Sequence, residues 1–336
     1  LLEVVAKAEK TEVAVATVKN IRPNTSAWNI HSLNSRIWGK GLIRKLLTRY
    51  SMNRFLQHDL DLDATDVLVA TTDLTDIAVN AACTRGWKTC SIIRAFEYLC
   101  IDGNMGFFER AHDWIEAADV LDRGKLPLIT NSHFMQSYFA ENYGIQSEVV
   151  YPPVQMPETT RATPCKIRKI GIVNPAIDKG YSVVKAIAER LPSIQFCYFG
   201  EIPSDAKKVR RKFSNIEFHG WSRDVSQIYK CVDLMLVPSQ WAEPFGRIPV
   251  ESIAHGVLPI VSKIGGLPET VDQDERLMVD PHNDVEAWVQ KIEFFMKHPE
   301  KMASLVHEHT AHIRKFGIEI QGKRFTHLIQ SLYDTP

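Results

Sequence analysis

The stretch Asp233-Leu-Met-Leu-Val-Pro-Ser-Gln-Trp-Ala-Glu-Pro-Phe-Gly-Arg-Ile-Pro-Val-Glu251 decides how this chain is read. Its opening, Leu234–Val237, is a short unbroken apolar run of the kind that forms a buried strand in a parallel sheet. Pro238 ends that strand, and a loop holding Glu243 and Gly246 follows. A helix then starts, with Pro249 in its first turn, where the missing N–H has no partner to lose. Glu243 is therefore expected at the carboxyl end of a strand, where the ligands of α/β sheets bind. Gly246 lets the backbone come close to a ligand, and the helix start offers N–H groups to an anion. Glu251 lies one turn into the helix, and its carboxylate can accept hydrogen bonds from hydroxyls such as a ribose diol. Acids are favoured near helix starts in any case, so each glutamate alone also fits an ordinary surface position. Two of them in this strand–loop–helix context suit a ligand that is part phosphate and part polyol.

Outward from this stretch, short β-branched runs alternate with helical patterns along the whole chain, which predicts an α/β fold with parallel sheets. In the first half, strands are expected at 12–18, 66–71, 88–93 and 126–130, with helices near 41–57, 73–84, 106–121 and 132–142. Ser132 sits where an N-cap belongs, just ahead of Phe134, Met135 and Tyr138. Residues 151–164 carry four prolines and few apolar side chains, so they read as a linker and hinge. The alternation then restarts. Strands are expected at 167–173, 194–199, 234–237, 258–262 and 276–279, and helices near 180–190, 204–212, 222–230, 248–256, 284–297, 300–315 and 319–332.

Composition excludes several classes. With 336 residues, of which 45% are apolar, the chain can fill about two domain cores. Forty Lys and Arg balance forty Asp and Glu, which argues against a dedicated nucleic-acid binder. No run of apolar residues is long enough for a transmembrane helix. The six cysteines show no paired spacing, which fits a reduced, cytoplasmic protein, and Cys197 and Cys231 read as small core residues. The chain opens on Leu1 with no signal-peptide pattern and is expected to start in mid-chain.

Four segments, in order, resemble the family 4 glycosyltransferases, which are retaining, metal-independent enzymes of the GT-B fold. Glu243-Pro-Phe-Gly-Arg-Ile-Pro-Val-Glu251 is similar to that family's glutamate-x7-glutamate motif. Ser252–Val271 resembles the run that follows it, a helix, Gly256, Pro259, a strand and then Gly265-Gly266-Leu-Pro-Glu269. Val173-Asn-Pro-Ala-Ile-Asp-Lys-Gly180 resembles the loop carrying a diphosphate-binding lysine, and Phe218-His-Gly-Trp221 the strand and loop that line the base pocket. The resemblance covers roughly residues 125–330 well and the earlier part only loosely. It implies two Rossmann-like doubly wound domains facing a cleft. One is an acceptor-side domain over 1–157, its first strand missing and Leu1–Lys10 forming the helix that would follow. The other is a nucleotide-sugar domain over 158–318, and a C-terminal helix over 319–336 packs back toward the N-domain.

The resemblance also implies roles. Lys179 would bind the donor diphosphate, Glu243 the donor sugar hydroxyls and Glu251 the ribose. The backbone of Phe245 and Gly246 would face sugar and phosphate, and Arg247 would help with the anion. Gly220 and Trp221 fall at the base pocket. Asn174 stands where the family often has an arginine, so the second cation of the clamp is expected elsewhere. Lys179 and Glu243 are the expected catalytic residues of a hexosyltransferase-like enzyme that transfers sugar with retention, without metal or other cofactor, in polysaccharide biosynthesis. The acceptor would be a glycan, a lipid-linked sugar or a small molecule. Two rivals remain: an epimerase acting on a nucleotide-sugar, and a non-catalytic nucleotide-sugar binder, which Asn174 favours.

Weaker signals surround this core. Residues 13–58 contain no acid and eight Lys or Arg, and an amphipathic helix within 36–55 beside Trp28 and Trp38 suits peripheral contact with an anionic membrane. Arg94 and Glu97, after a strand, are acceptor-side candidates, although a structural ion pair fits them too. Asp59, Asp61 and Asp63 alternate in what reads as a solvated loop rather than a metal site. His307-Glu-His-Thr-Ala-His312 lacks the four-residue histidine spacing of a zinc protease and reads as a solvated helical cluster.

Overall fold

The computed structural model describes residues 13–17, 28–32, 54–60, 62, 67–70, 75–94, 127–222 and 224–333. The chain divides into two compact units: residues 1–151 with 321–336, and residues 152–320.

In the first unit, Val13–Thr17 (β1) pairs in parallel with Trp28–Ser32 (β2). A second parallel sheet runs Val67–Ala70 (β3), Lys88–Ile93 (β4), Leu128–Thr130 (β5) and Glu148–Val149 (β6). Thr75–Arg85 (α1) follows β3, and its Ile77 and Ala81 pack on Phe55 and Leu56. His133–Tyr143 (α2) follows β5. Ser132 caps it, its Oγ accepting from the Met135 N–H at 3.0 Å, and Met135 and Phe139 pack on Ile93 and Leu128. Over 54–60 the expected helix is a short π-turn, Phe55–Asp59. The basic segment 36–53, the helix expected at 106–121, Glu97, Asp61, Asp63 and the opening residues 1–10 lie outside the described residues.

The second unit is built on six parallel strands. They are Lys169–Val173 (β7), Gln195–Phe199 (β8), Ile216–Gly220 (β9), Leu234–Val237 (β10), Leu258–Ser262 (β11) and Met278–Val279 (β12). Their order is β12-β11-β10-β7-β8-β9. The chain winds outward from β7 in one direction through β8 and β9, then returns to β10 and winds the other way. The switch point therefore falls between β7 and β10, and the carboxyl ends of those two strands diverge there to leave a crevice. Helices fill both faces: Tyr181–Arg190 (α3), Ala206–Lys212 (α4), Val225–Cys231 (α5), Ile248–Ala254 (α6), Leu267–Thr270 (α7), Val285–Lys297 (α8) and Pro299–Ile313 (α9). The amphipathic α3 buries Tyr181, Val183, Val184, Ile187 and Ala188, which is the apolar stripe that its sequence period requires. The last helix, Ile318–Tyr333 (α10), begins in this unit, and its Phe325 packs with Cys90, Ile129 and Val150 of the first.

Three expectations are corrected. Cys197 is buried among Tyr229, Val232 and Met235, but Cys231 is exposed, because α5 turns its last residue outward. The histidines of α9 are not a solvated cluster. His309 is 5% exposed and its Nε2 lies 3.0 Å from Asp274, while His312 Nε2 lies 2.9 Å from the Glu269 carbonyl. The proline-rich stretch is no free tether. The Val154 N–H donates to Phe316 O at 2.9 Å, the Thr160 hydroxyl to Ala254 O at 2.9 Å, and the Arg161 guanidinium to the carbonyls of Lys230 and Val232. Strands β2, β6 and β9 and the short helix α7 were not among the elements expected from the periodicity. Among the described residues no helix is long and apolar enough to cross a membrane.

Candidate active site at the switch point of the second unit

The loop 174–180 leaves β7 and enters α3. Asn174 adopts a left-handed backbone (φ 54°), and its N–H donates to Phe199 O at 2.8 Å. The loop then folds on itself, with the Tyr181 N–H donating to Ala176 O at 3.0 Å. Gly180 closes it at φ 81°, where a Cβ would stand 2.0 Å from the Pro238 carbonyl oxygen. Only glycine fits, and its presence lets the residue before it, Lys179, lie against the end of β10. The Gln240 N–H ties the two loops together by donating to Asp178 O at 2.7 Å.

The loop after β10 supplies the acid. The Gly266 N–H donates to Glu243 O at 2.7 Å, and Gly265 and Gly266 pass so close to 242–245 that a Cβ on either would stand 2.4–2.5 Å from a backbone oxygen. The Gly265-Gly266 pair thus holds the acidic loop in place by contact. Glu243 is 9% exposed. Its Oε1 accepts from the Ser239 hydroxyl and lies 3.0 Å from Lys179 Nζ. Lys179 also lies over the Trp241 ring at 4.7 Å. The Trp241 indole N–H is buried with no partner among the described residues. Gly246 adopts φ 86°, and Phe245 is buried against Phe316.

Two cavities meet here. A deep one of about 140 Å³ is lined by Asn174, Lys179, Pro238, Ser239, Glu243 and Gly246 among others. A wider groove of about 750 Å³ runs along Ile177, Asp178, Tyr181, Lys185, Ile202, Asp205 and Trp221 among others. Asn174 and Lys179 line both, so the ammonium stands at their junction. Trp221 is 71% exposed on the groove wall, next to Gly220, which takes φ 72°. The floor of the groove is polar: Tyr181 donates its phenolic hydrogen to Asp205 at 2.9 Å, and Lys185 pairs with the same carboxylate at 3.3 Å. Burial first, and then the Asp205 hydrogen bond, raise the Tyr181 pKa, so it stays a donor at any ordinary pH.

Glu251 is placed differently from Glu243. It is buried in α6, takes a hydrogen bond from Tyr229 at 3.0 Å and pairs with Arg247 at 2.8 Å, so both carboxylate oxygens are engaged. Burial and then the Glu251 charge hold Tyr229 well above its ordinary pKa. The structure therefore brings Asn174, Lys179, Glu243 and Gly246 to one cavity, puts Gly220 and Trp221 at the adjoining groove, and sets Arg247 and Glu251 as a pair of their own. Arg94 follows β4 in the first unit, where its carbonyl accepts from Asn131 at 3.0 Å. Ser239, Trp241 and Tyr229 were not singled out in advance. Ser239 and Trp241 stand inside the stretch first quoted, and Trp241 is its one large aromatic with a polar handle. Tyr229 lies 22 residues before its partner, beyond the reach of any local spacing.

Known proteins resemble parts of this sequence and share its fold. Residues 177–311 match the family model of glycosyl transferases group 1. The chain is 30% identical over 95 residues to a D-inositol 3-phosphate glycosyltransferase of Saccharomonospora viridis. That match covers 28% of this chain, and the chain spans only 22% of the length of that relative. Among solved structures, sucrose-phosphate synthase from Thermosynechococcus elongatus superposes with a TM-score of 0.79 at 15% identity, over 99% of this chain and 92% of that one. Anabaena HepE, solved with UDP and glucose, superposes with a TM-score of 0.73 at 15% identity, over 98% of this chain and 95% of that one. The chain thus has the GT-B fold, α/β with parallel sheets in two Rossmann-like domains.

Proposed function

We propose that the protein is a retaining glycosyltransferase that moves a sugar from a nucleotide-sugar donor to a hydroxyl acceptor, without a metal in the transfer step. The observation that carries this reading is the Lys179–Glu243 pair at 3.0 Å, at the junction of a small deep cavity and a wide groove. A nucleotide-sugar divides the same way: a compact sugar, a doubly charged diphosphate and a flat base. The sugar enters the deep cavity against Glu243. The diphosphate lies at Lys179, a compact cation suited to phosphate. The nucleoside lies along the groove, with its base on Trp221. The HepE complex with UDP and glucose supports a ligand of this class.

Lys179 and Glu243 neutralise each other when no ligand is bound. When phosphate arrives, Lys179 turns to it, and Glu243 keeps its Ser239 hydrogen bond while accepting from a sugar hydroxyl. The Trp241 N–H, unpartnered beside Lys179, supplies one more donor to the incoming oxygens. In the transfer, the bond between the anomeric carbon and the phosphate oxygen breaks, and its electron pair goes to the phosphate. Lys179 stabilises that growing charge. The acceptor hydroxyl forms the new bond on the same face, and its proton passes to the departing phosphate. Glu251 reaches a ribose diol by exchanging its Arg247 contact, the outer one of its two partners.

The test is a panel of UDP-, GDP-, ADP- and dTDP-sugars assayed for transfer, with the anomeric configuration of the product read by NMR. Transfer with retention supports the reading. An inverted product refutes the mechanism, and isomerisation of donor in the absence of acceptor refutes transferase in favour of epimerase.

A further inference from the structure

Among the described residues, one group of metal-capable side chains lies away from the Lys179 cavity, on the edge of the same sheet. Cys197 of β8 pairs directly with Glu217 of β9. Two residues farther on, the register shifts: Tyr198 faces Phe218, but Phe199 faces Gly220, so His219 is the extra residue of a β-bulge. Glu217 and His219, two residues apart on β9, share its exposed face, where His219 Nε2 lies 3.3 Å from Glu217 and its ring stacks on Phe199 at 4.9 Å and 18°. One ligand atom each from Cys197, Glu217 and His219 lie within 4.8 Å of one another.

We propose that Cys197, Glu217 and His219 form a zinc site that clasps the carboxyl ends of β8 and β9. The donor set is sulfur, nitrogen and oxygen, which zinc accepts in a tetrahedral site, while magnesium and calcium take oxygen alone. Zinc bond lengths bring tetrahedral donors to about 3.3–3.8 Å apart; Glu217 and His219 already stand at 3.3 Å, and the Cys197 sulfur has at most about 1.5 Å to close. Glu217 and His219 keep 53% and 38% of their side chains exposed, which leaves the fourth position to water and gives the ion an entry path. Cys197 lies beneath them, 1% exposed in the core formed with Ile228 and Tyr229. On binding, the thiol proton goes to solvent and the thiolate–zinc bond replaces it.

The clasp has a structural consequence. Beyond it, β8 and β9 run into Gly200 and Gly220, joined by the Gly200 N–H donating to Gly220 O at 2.8 Å, and then into Glu201, Ile202 and Trp221 of the groove wall. Holding β8 to β9 therefore holds two sides of that wall together. The site itself is independent of the transferase reading.

The experiment is a cobalt(II) titration of the whole chain, with cobalt standing in for zinc. A thiolate-to-cobalt charge-transfer band in the near ultraviolet that saturates at one equivalent, and that zinc displaces, is the expected result. Cys197→Ser should abolish the band and Cys231→Ser should leave it. Should Cys197→Ser fail to fold, His219→Ala decides, because its ring is partly exposed: it should weaken zinc binding at least about tenfold, the scale seen for metal-site disruptions. No band in the natural chain, a band carried by Cys231, or zinc affinity unchanged in His219→Ala would overturn the site and leave Glu217 and His219 as a plain surface ion pair.

Discussion

Two acids of the second unit with little exposed side chain meet opposite fates. Glu243 lies beside a cavity and has one ammonium and one hydroxyl for company. Asp274, in the turn after α7, is saturated: the Arg276 guanidinium binds it at 2.7–3.0 Å, His309 at 3.0 Å, and the Arg276 backbone N–H at 2.9 Å. Arg276 in turn reaches Glu308 at 2.8 Å. Their side chains are equally covered, 12% and 11% exposed. The difference is spare bonding capacity. A carboxylate with every lone pair taken fixes the chain in place, whereas one with open positions beside a void can recognise a ligand.

That contrast is sharpened most by Lys179→Ala. Transfer should fall by about 10²–10³, the loss seen when one donor to a developing oxyanion is removed, with melting temperature unchanged. A loss of folding instead would place the pair with Asp274 as a structural contact. Next in size is Gly180→Ala. Its Cβ would meet the Pro238 carbonyl at 2.0 Å in a left-handed backbone, so denaturant melts should show a loss of about 3 kcal/mol, along with a displaced Lys179. Asp274→Asn tests the other side. It should cost about 1–2 kcal/mol, discounted because Arg276 is mostly exposed, and leave the specific activity of the folded fraction intact.

The same variant should change the pH response. Burial works to raise the Asp274 pKa, but the Arg276 hydrogen bonds and charge, with His309, hold it below the usual range. A folded value below the unfolded one, about 3.9, means that its contribution is complete above about pH 4 and is lost as pH falls through the folded value. Melting temperature measured from pH 7 to 3 should therefore fall less steeply below pH 4 in Asp274→Asn than in the natural chain. The smallest effect is expected from Trp221→Ala. Nucleotide affinity should drop about tenfold, as removal of one stacking ring does elsewhere, with no change in melting because the ring is already exposed.

Legibility in the sequence followed the range of the physics. Strands β7, β10 and β11 showed as apolar runs within a residue or two of their ends, because burial on both faces leaves no alternation to blur. Glu243 was picked out by its place in the loop after such a strand, and Lys179 by the resemblance of its loop to the family's; the fold brings the two side chains together. What was hidden lies in pairings across the chain. The bonds from Tyr229 to Glu251 and from His309 to Asp274 span 22 and 35 residues, and no local pattern announces them. A run of three histidines on one helix looks solvated until the turn that covers two of them is in place. The proline-rich segment misled for the opposite reason. Its composition correctly reports an extended backbone, but extended backbone docks on a surface as readily as it spans a gap.

That docking has an outcome for the architecture. Val154 and Gly317 form a parallel bridge, so the chain enters the second unit and leaves it at adjacent points. Residues 152–320 are thereby a loop with its mouth closed, the topology of an inserted cassette. Such a piece can be lifted out as one continuous segment, or its two ends joined and the chain reopened elsewhere, without breaking any strand of its sheet.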